Sequence, residues 1–464
     1  MSTVEKQQDG FKSKWGFIMA CIGSAVGMAN IWRFPYMVAS YGGLTFLLPY
    51  FLFVVLIGMS GVMEEFALGR WGGGPVEAFG AAMENGGKSR KAGEIIGALP
   101  VIGSMGLAIG YSVVMGWIFK YTGMSLTGGL YAMGQDMAVI GGTFGAAAPE
   151  TATLGEAVSM MLSNGIFGVG NGLWIVVAVV VSVVIMSLGV AGGIEKACKV
   201  MIPALFGLFL VLAVYIAFLP GAIDGYKYIF TLNPAGLLDW KVWIYAFGQA
   251  FFSLSVAGNG SVIYGSYLGK DVEISSSARN VALFDTLAAL VAMIVIIPAM
   301  ATTGSELSAA GPGLMFVYLP NVFNGMGAMG RFVGIFFFVA VLFAGVSSIV
   351  NLYETPVAFV QQNLKLGRIP ATIVVHAVGL VVALLIQPWT SQWMDMVSIY
   401  ICPFGAALAG IMFFWVMKKE TALEAVNQGA NKAIGGWFHP FGKWVYVPLC
   451  IIALVAGAAL GGIG

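Results

Sequence analysis

Charge is what this 464-residue chain has least of: Asp, Glu, Lys and Arg make up only 9% of it, where soluble domains carry roughly 25%. That scarcity excludes an ordinary water-soluble globule. With 59% hydrophobic residues and a mean hydropathy of +0.91, the chain reads as a polytopic membrane protein. A formal net charge of +1 leaves no footprint for nucleic acid or a strongly anionic partner. Histidine is nearly missing: His376 and His439 are too far apart to seed a metal cluster. Cys21, Cys198, Cys402 and Cys450 lie in apolar context with no short spacing, so they read as small buried hydrophobes and not as a disulfide frame. No small-residue cleavage site follows a short apolar core after the polar first dozen residues, so no cleavable signal peptide is expected. With no nucleophile–base pair, phosphate loop or metal cluster in the pattern, an enzyme is not expected either.

What the chain has in abundance is glycine and long apolar runs. Its 65 glycines are about twice the usual ~7% share, and in membranes glycine lets helices approach closely or lets one unwind. Hydropathy gives about eleven segments able to cross a hydrocarbon core of ~30 Å. They are centred near residues 26, 56, 110, 181, 208, 254, 289, 344, 378, 406 and 452. Two look broken, at Gly23-Ser24-Ala25-Val26-Gly27-Met28-Ala29-Asn30 and at Ser253 to Gly260. Backbone groups freed inside a bilayer cost several kcal/mol each unless something satisfies them. A broken membrane helix therefore needs an occupant, and ions or a small polar substrate are the usual ones. The breaks fall five segments apart, the spacing of an inverted five-helix repeat.

The positive-inside rule orients the chain. With a cytoplasmic N-terminus, all 22 Lys and Arg lie inside except Lys120, Lys227, Lys241, Arg331 and the intramembrane Arg33. Eleven crossings then put the C-terminus outside. The loop from about Gly128 to Gly170 carries no Lys or Arg, as an external loop should, and its Glu150 to Met161 stretch suits a surface helix. A second external loop, Gly311-Pro312-Gly313-Leu314-Met315-Phe316, is apolar enough to dip toward the outer mouth.

Intramembrane ionisable residues are expensive and therefore functional candidates; here they are Arg33, Glu64, Glu65, Asp285, Glu354 and Asp395. Residues 23–36, Gly-Ser-Ala-Val-Gly-Met-Ala-Asn-Ile-Trp-Arg-Phe-Pro-Tyr, resemble the first helix of the neurotransmitter:sodium symporter family. Gly193-Ile194-Glu195 through Met201-Ile202-Pro203 resembles its fifth helix, Gly248-Gln249-Ala250-Phe251-Phe252-Ser253-Leu254-Ser255 its sixth, and Phe343-Ala344-Gly345-Val346-Ser347-Ser348 its eighth. The resemblance covers essentially the whole chain, with the motifs in family order. It implies an all-α membrane protein of about eleven transmembrane helices in a single domain over residues 1–464. An inverted repeat would pair about 14–218 with about 241–417, broken in helices 1 and 6, with an extra helix at about 443–462.

The resemblance also implies two sodium sites. One would use the Ala25 carbonyl, Asn30, Ser253 and Asp285, completed by a substrate carboxylate. The other would use the Gly23, Val26 and Ala344 carbonyls with the Ser347 and Ser348 hydroxyls. Chloride-dependent members place a neutral residue and a chloride near the first sodium; a fixed Asp285 carboxylate supplies that charge, so chloride independence is expected. The same carboxylate is able to carry a proton on the return step. Amine-transporting relatives have an aspartate where this chain has Gly27, so the ligand is expected to bring its own carboxylate, as an amino acid does. Backbone N–H groups around Gly27 to Ala29 and the Tyr111 hydroxyl would hold the carboxylate, and carbonyls from Phe252 to Ser255 the ammonium. Ala25 and Ser253 border the same point. Met28, Leu107, Phe252, Gly258, Ser348 and Leu352 would line an apolar pocket, with Asn259 or Asn351 as polar contacts. Relatives often carry a bulky residue at Gly258, so its loss is expected to enlarge the pocket for a large aliphatic or aromatic side chain. Ala29 departs from the family's usual glycine and puts a methyl beside the carboxylate.

For gating, the resemblance implies an outer Arg33–Asp395 pair above Tyr111 and Phe252. Inside, Gln8, Phe11 and Gln362 replace the family's arginine, tryptophan and aspartate, leaving closure to packing and neutral hydrogen bonds. Gly193 and Pro203 bracket a stretch where a helix is able to unwind, and Glu65 is expected to brace the unwound segments. The expected protein is a sodium-coupled amino-acid symporter of the inner (plasma) membrane, a monomer or weak dimer among lipid. The alternatives are a sodium-independent exchanger and a substrate sensor on the same scaffold.

Overall fold

The computed structural model describes residues 10–165, 167–304 and 311–463. No strand occurs among them; the chain is a bundle of helices. In chain order these are α1 (Lys14–Ala25), α2 (Ala29–Tyr41), α3 (Leu44–Gly72), α4 (Arg90–Thr127), α5 (Gly172–Ser187), α6 (Val190–Ala217), α7 (Trp240–Ser253), α8 (Gly260–Ser266), α9 (Ile274–Thr302), α10 (Ala328–Asn363), α11 (Arg368–Ile386), α12 (residues 390–416) and α13 (Phe438–Leu460). Among the described residues seven runs are long and apolar enough to cross a membrane, eight if the bent pair α1–α2 is one span. The 49-residue run from Arg368 to Val416 counts as one of the seven, although at ~1.5 Å per residue it is long enough for two crossings of a ~30 Å core. Each of the eleven expected centres falls in a helix or at the break between α1 and α2 or between α7 and α8.

The sequence forms helices here for a reason that differs from the one in water. α5 reads Gly-Leu-Trp-Ile-Val-Val-Ala-Val-Val-Val-Ser-Val-Val-Ile-Met-Ser, a β-branched run with modest intrinsic helix preference. In hydrocarbon every N–H and C=O must find a partner within the segment, and only the helix provides that. Outward faces stay apolar: Val180, Val184, Val211, Val214, Val381 and Val455 are all exposed, an arrangement suited to lipid.

Glycine sets how closely the helices meet. A methyl on Gly69 of α3 would stand 1.8 Å from the Val262 carbonyl oxygen of α8, and one on Gly265 of α8 would stand 2.5 Å from the Phe66 carbonyl oxygen. Backbones therefore touch directly along this seam. Charged staples hold the loop ends. Arg70 donates to the carbonyls of Val272 (2.6 Å), Gln428 (2.7 Å) and Ala425 (3.1 Å). Buried Glu354 takes Arg368 at 2.6 Å and the Tyr267 hydroxyl at 2.6 Å.

The expected surface helix is present as Leu154–Asn164, opened by a reciprocal Thr153–Glu156 cap. Phe316, in the apolar external segment, is buried against Trp117, Tyr121 and Phe144. All four cysteines are buried and unpaired. His376 stacks on Tyr353 at 3.9 Å and bonds Ser182, a packing role.

Gly69→Ala is expected to cost on the order of 3 kcal/mol by overpacking. Gly142→Ala, on an exposed helix face with nothing within 4 Å, should be neutral or gain up to about 1 kcal/mol. Thermal unfolding of the purified variants compares the two.

Candidate functional site

Two chain breaks face each other at the centre. α1 ends at Ala25, Val26 turns extended, and α2 departs at 57° from α1. Asn30 repairs the damage locally: its Oδ1 accepts the Gly27 N–H at 3.0 Å. Across the bundle, α7 stops at Ser253, Ser255 takes a left-handed φ of 53°, and α8 starts at Gly260. The Gly258 N–H donates to Glu65 Oε1 at 2.6 Å, so Glu65 of α3 does brace this break. Its neighbour Glu64 is buried, with neither oxygen hydrogen-bonded. Ser255 Oγ donates to the Ser24 carbonyl at 3.3 Å, tying one break to the other.

Asn30, Ser253 and Asp285 come together as one fully buried cluster. Asn30 Nδ2 donates to Asp285 Oδ1 (2.7 Å) and Ser253 Oγ (3.2 Å), and Ser253 Oγ donates to Asp285 Oδ2 (2.7 Å). Asp285 thus has only neutral donors, and no ion-pair partner among the described residues. A carboxylate so deeply buried is costly unless a positive charge offsets it. This oxygen-rich donor set fits a hard monovalent cation.

A second cluster joins α1 to α10. Ser348 Oγ lies 3.1 Å from the Val26 carbonyl oxygen, 3.3 Å from that of Gly23 and 3.0 Å from that of Ala344. Ser347 Oγ donates to the Ala344 carbonyl at 2.9 Å, and a methyl on Gly23 would stand 3.3 Å from that hydroxyl and 3.2 Å from Cys198 Sγ of α6. Three carbonyls and two hydroxyls therefore converge where the sequence expects them, with α6 as the wall. Gly193 to Pro203 is helical here, and Cys198 lies midway along it.

Around Gly27 the space is tight and polar. A methyl there would stand 3.0 Å from Ser348 Oγ and 3.4 Å from Tyr111 Oη, and that buried phenol has no hydrogen-bond partner. Next to the second break, Leu107 and Phe252 pack with Ala257, Val397 and Cys402 in a small separate apolar cluster. Met28 is buried, while Ala29 and Leu352 are half-buried.

Gly258 does not enlarge this space. Its φ is +70° and an added methyl would stand 2.5 Å from the Gly405 carbonyl oxygen and 3.3 Å from Pro100. The position is glycine because α12 backbone presses on it, and the expectation of a roomier pocket there is corrected. Asn259 Nδ2 donates to the Pro100 carbonyl at 3.2 Å, while Asn351 Nδ2 donates to Ser24 Oγ at the first break and leaves its buried Oδ1 without a partner.

The outer pair is apart. Arg33 and Asp395 feel each other's charge but make no ion pair among the described contacts. On the inner side, Gln8 lies outside the described residues. Phe11 packs edge-on against Phe17, Tyr264 and Tyr267, and the Gln362 amide, turned so that its nitrogen faces the carboxylate, donates to Glu77 at 2.7 Å. Burial raises the Glu77 carboxyl above its usual range.

Sequence reasoning passed over Glu195 as anything more than part of a motif. Its carboxylate accepts the Lys12 N–H (2.7 Å), the Ser13 hydroxyl (2.9 Å) and Lys199 Nζ (2.5 Å). The start of α1 is thereby fastened to α6. The available signal was an acid at i,i+4 from a lysine at the head of an apolar run.

Asn30→Ala should leave the Gly27 N–H and one Asp285 oxygen unsatisfied, at about 3 kcal/mol in all. The check is a lowered thermal midpoint in the purified protein, compared with a Cys402→Ala control that removes no hydrogen bond of the cluster.

The model of the sodium:neurotransmitter symporter family matches residues 8–135 and 148–459. An uncharacterised sodium-dependent transporter of Methanocaldococcus jannaschii is 29% identical over 97% of this chain and 90% of its own length. A sodium-dependent neutral amino acid transporter of Rattus norvegicus is 28% identical over 63% of this chain and 40% of its own. The crystal structure of MhsT in complex with L-phenylalanine superposes with a TM-score of 0.78 at 28% identity, covering 97% of this chain and 99% of that one. With the family match running through both breaks and all the clustered residues, the chain belongs to the sodium:neurotransmitter symporter family.

Proposed function

We propose that this chain is a sodium-coupled symporter of a neutral amino acid, working by alternating access between two five-helix repeats of an eleven-span bundle. The observation that carries the reading is Asp285, buried among neutral donors from both breaks. A sodium ion there would offset the carboxylate, held by Asn30, Ser253, Asp285 and the Ala25 carbonyl. A second ion would sit among the carbonyls of Gly23, Val26 and Ala344 and the hydroxyls of Ser347 and Ser348. A substrate carboxylate would meet the unpartnered Tyr111 hydroxyl and the N–H groups after Gly27. Its ammonium would face the carbonyls near Ser253 and Ser255.

The apolar cluster of Leu107 and Phe252 favours a hydrophobic side chain, and a structural relative solved with L-phenylalanine favours an aromatic or large aliphatic one. The fixed Asp285 charge makes chloride unnecessary. Arg33 and Asp395 would close over the loaded site. Unwinding of α6 at Gly193 to Pro203 would then let water reach the second ion past Cys198. The N-terminus is cytoplasmic and the C-terminus external on this reading. A tenfold sodium gradient gives ~1.4 kcal/mol per ion and 100 mV adds ~2.3. Two ions thus supply roughly 7 kcal/mol, enough for an accumulation near 10⁵.

The test is a thermal-shift screen of the twenty amino acids with and without sodium. Stabilisation by hydrophobic amino acids only in sodium is expected; stabilisation only by amines lacking a carboxylate would overturn the Gly27 argument. In proteoliposomes, Asp285→Asn or Asp285→Ser should abolish uptake or make it respond to chloride, and an unchanged rate and chloride response would sink the assignment. Ser348→Ala should raise the sodium concentration needed for half-maximal uptake at least tenfold, corresponding to about 1.4 kcal/mol.

A further inference from the structure

A cavity lies away from the breaks. It is a groove of about 620 Å³ between α3 and α9, closed at one end by Ile434 and Trp437. On α3 its wall runs Phe51, Val54, Val55, Gly58, Met59, a helical stripe of positions i, i+3, i+4, i+7 and i+8. On α9 it runs from Ser276 to Thr286, about 15 Å of helix, or one leaflet of a ~30 Å core. Val55, Met59 and Leu283 are exposed, so the groove opens outward, toward hydrocarbon in a membrane.

Its mouth is charged with both signs. Arg279 is exposed and has no hydrogen-bond or ion-pair partner among the described residues, whereas both terminal nitrogens of the neighbouring Arg70 are taken by carbonyls. Glu273 accepts one hydroxyl, from Ser275 at 2.9 Å. The exposed indole of Trp437 lies at the same end, and tryptophan favours headgroup depth. A cation and an anion at the mouth, with an apolar channel running on for about 10 Å of helix from Arg279 to Thr286, complement a zwitterionic lipid.

We infer that this groove binds one aminophospholipid of the ethanolamine type, its phosphate on Arg279 and its primary ammonium on Glu273. One acyl chain lies along Val54, Val55, Met59 and Leu283. Choline lipids carry the same charges but no N–H donor for Glu273. Glycerol lipids carry no ammonium and bring their phosphate to a mouth that already holds a carboxylate. The groove ends at Thr286, next in sequence to Asp285, so the lipid and the central cluster share α9.

The test is native mass spectrometry of the full chain, delipidated in detergent and titrated with phosphatidylethanolamine, phosphatidylcholine and phosphatidylglycerol of matched chains. One equivalent of the ethanolamine lipid is expected, favoured roughly tenfold over the others by its charge-assisted hydrogen bond. Glu273→Gln should erase the preference for ethanolamine over choline. Arg279→Gln should weaken all three lipids and Arg279→Lys restore them; a retained thermal midpoint shows each variant folded. Preference for the glycerol lipid, equal retention of all three, variants indistinguishable from the parent, or a second copy of the chain filling the groove would each overturn the proposal.

Discussion

Everything central in this molecule depends on backbone that has left the helix where no water can replace the lost hydrogen bonds. The breaks between α1 and α2 and between α7 and α8 expose N–H and C=O groups in a dry interior, and side chains close by in the chain and on distant helices must supply the partners. Asn30 does so for Gly27, Glu65 for Gly258 and Ser348 for Gly23 and Val26. α3 and α10 are therefore fixed around the breaks by the breaks' own unmet bonding, and α9 joins through the Asn30 and Ser253 side chains. Two of these repairing groups, Asn30 and Ser348, also carry oxygens that the proposed cation sites would use.

Much of this was legible in the sequence, for physical reasons. A membrane helix tolerates few polar residues, so Asn30, Glu65, Asp285 and Ser347-Ser348 stand out against a uniformly apolar background. Asn30 and Ser347-Ser348 also sit in the motifs of the first and eighth helices, whereas Glu65 and Asp285 lie outside the motifs and stand out only by charge. The breaks were readable because Gly27 and Gly258 flank polar residues within apolar runs. Span counting was harder: α11 and α12 run on through a short turn at Gln387–Trp389, so chain length alone merges them.

What escaped notice depended on close approach, which leaves no mark in composition. Gly258 looked like a missing pocket wall because a sequence records the absent side chain and not the Gly405 carbonyl that requires its absence. Glu195 stood out only as part of the fifth-helix motif because its partners, Lys12 and Ser13, are far away in the chain. The α3–α9 groove is a gap between two ordinary apolar faces, and nothing in either segment alone announces it.

The amide of Asn30 has two ends with opposite demands. Its nitrogen now faces Asp285 and its oxygen faces the Gly27 N–H, so the amide nitrogen occupies the acid side of the cluster where a metal ion would seek oxygen. For Asn30 to ligate an ion there, the amide must rotate about its last bond, giving up Gly27 and presenting oxygen inward. On the proposed reading, the N–H released by that rotation would join those that meet the substrate carboxylate. A half-turn of one side chain would then make ion and substrate mutual prerequisites, a local logic gate whose two inputs are wired through a single amide.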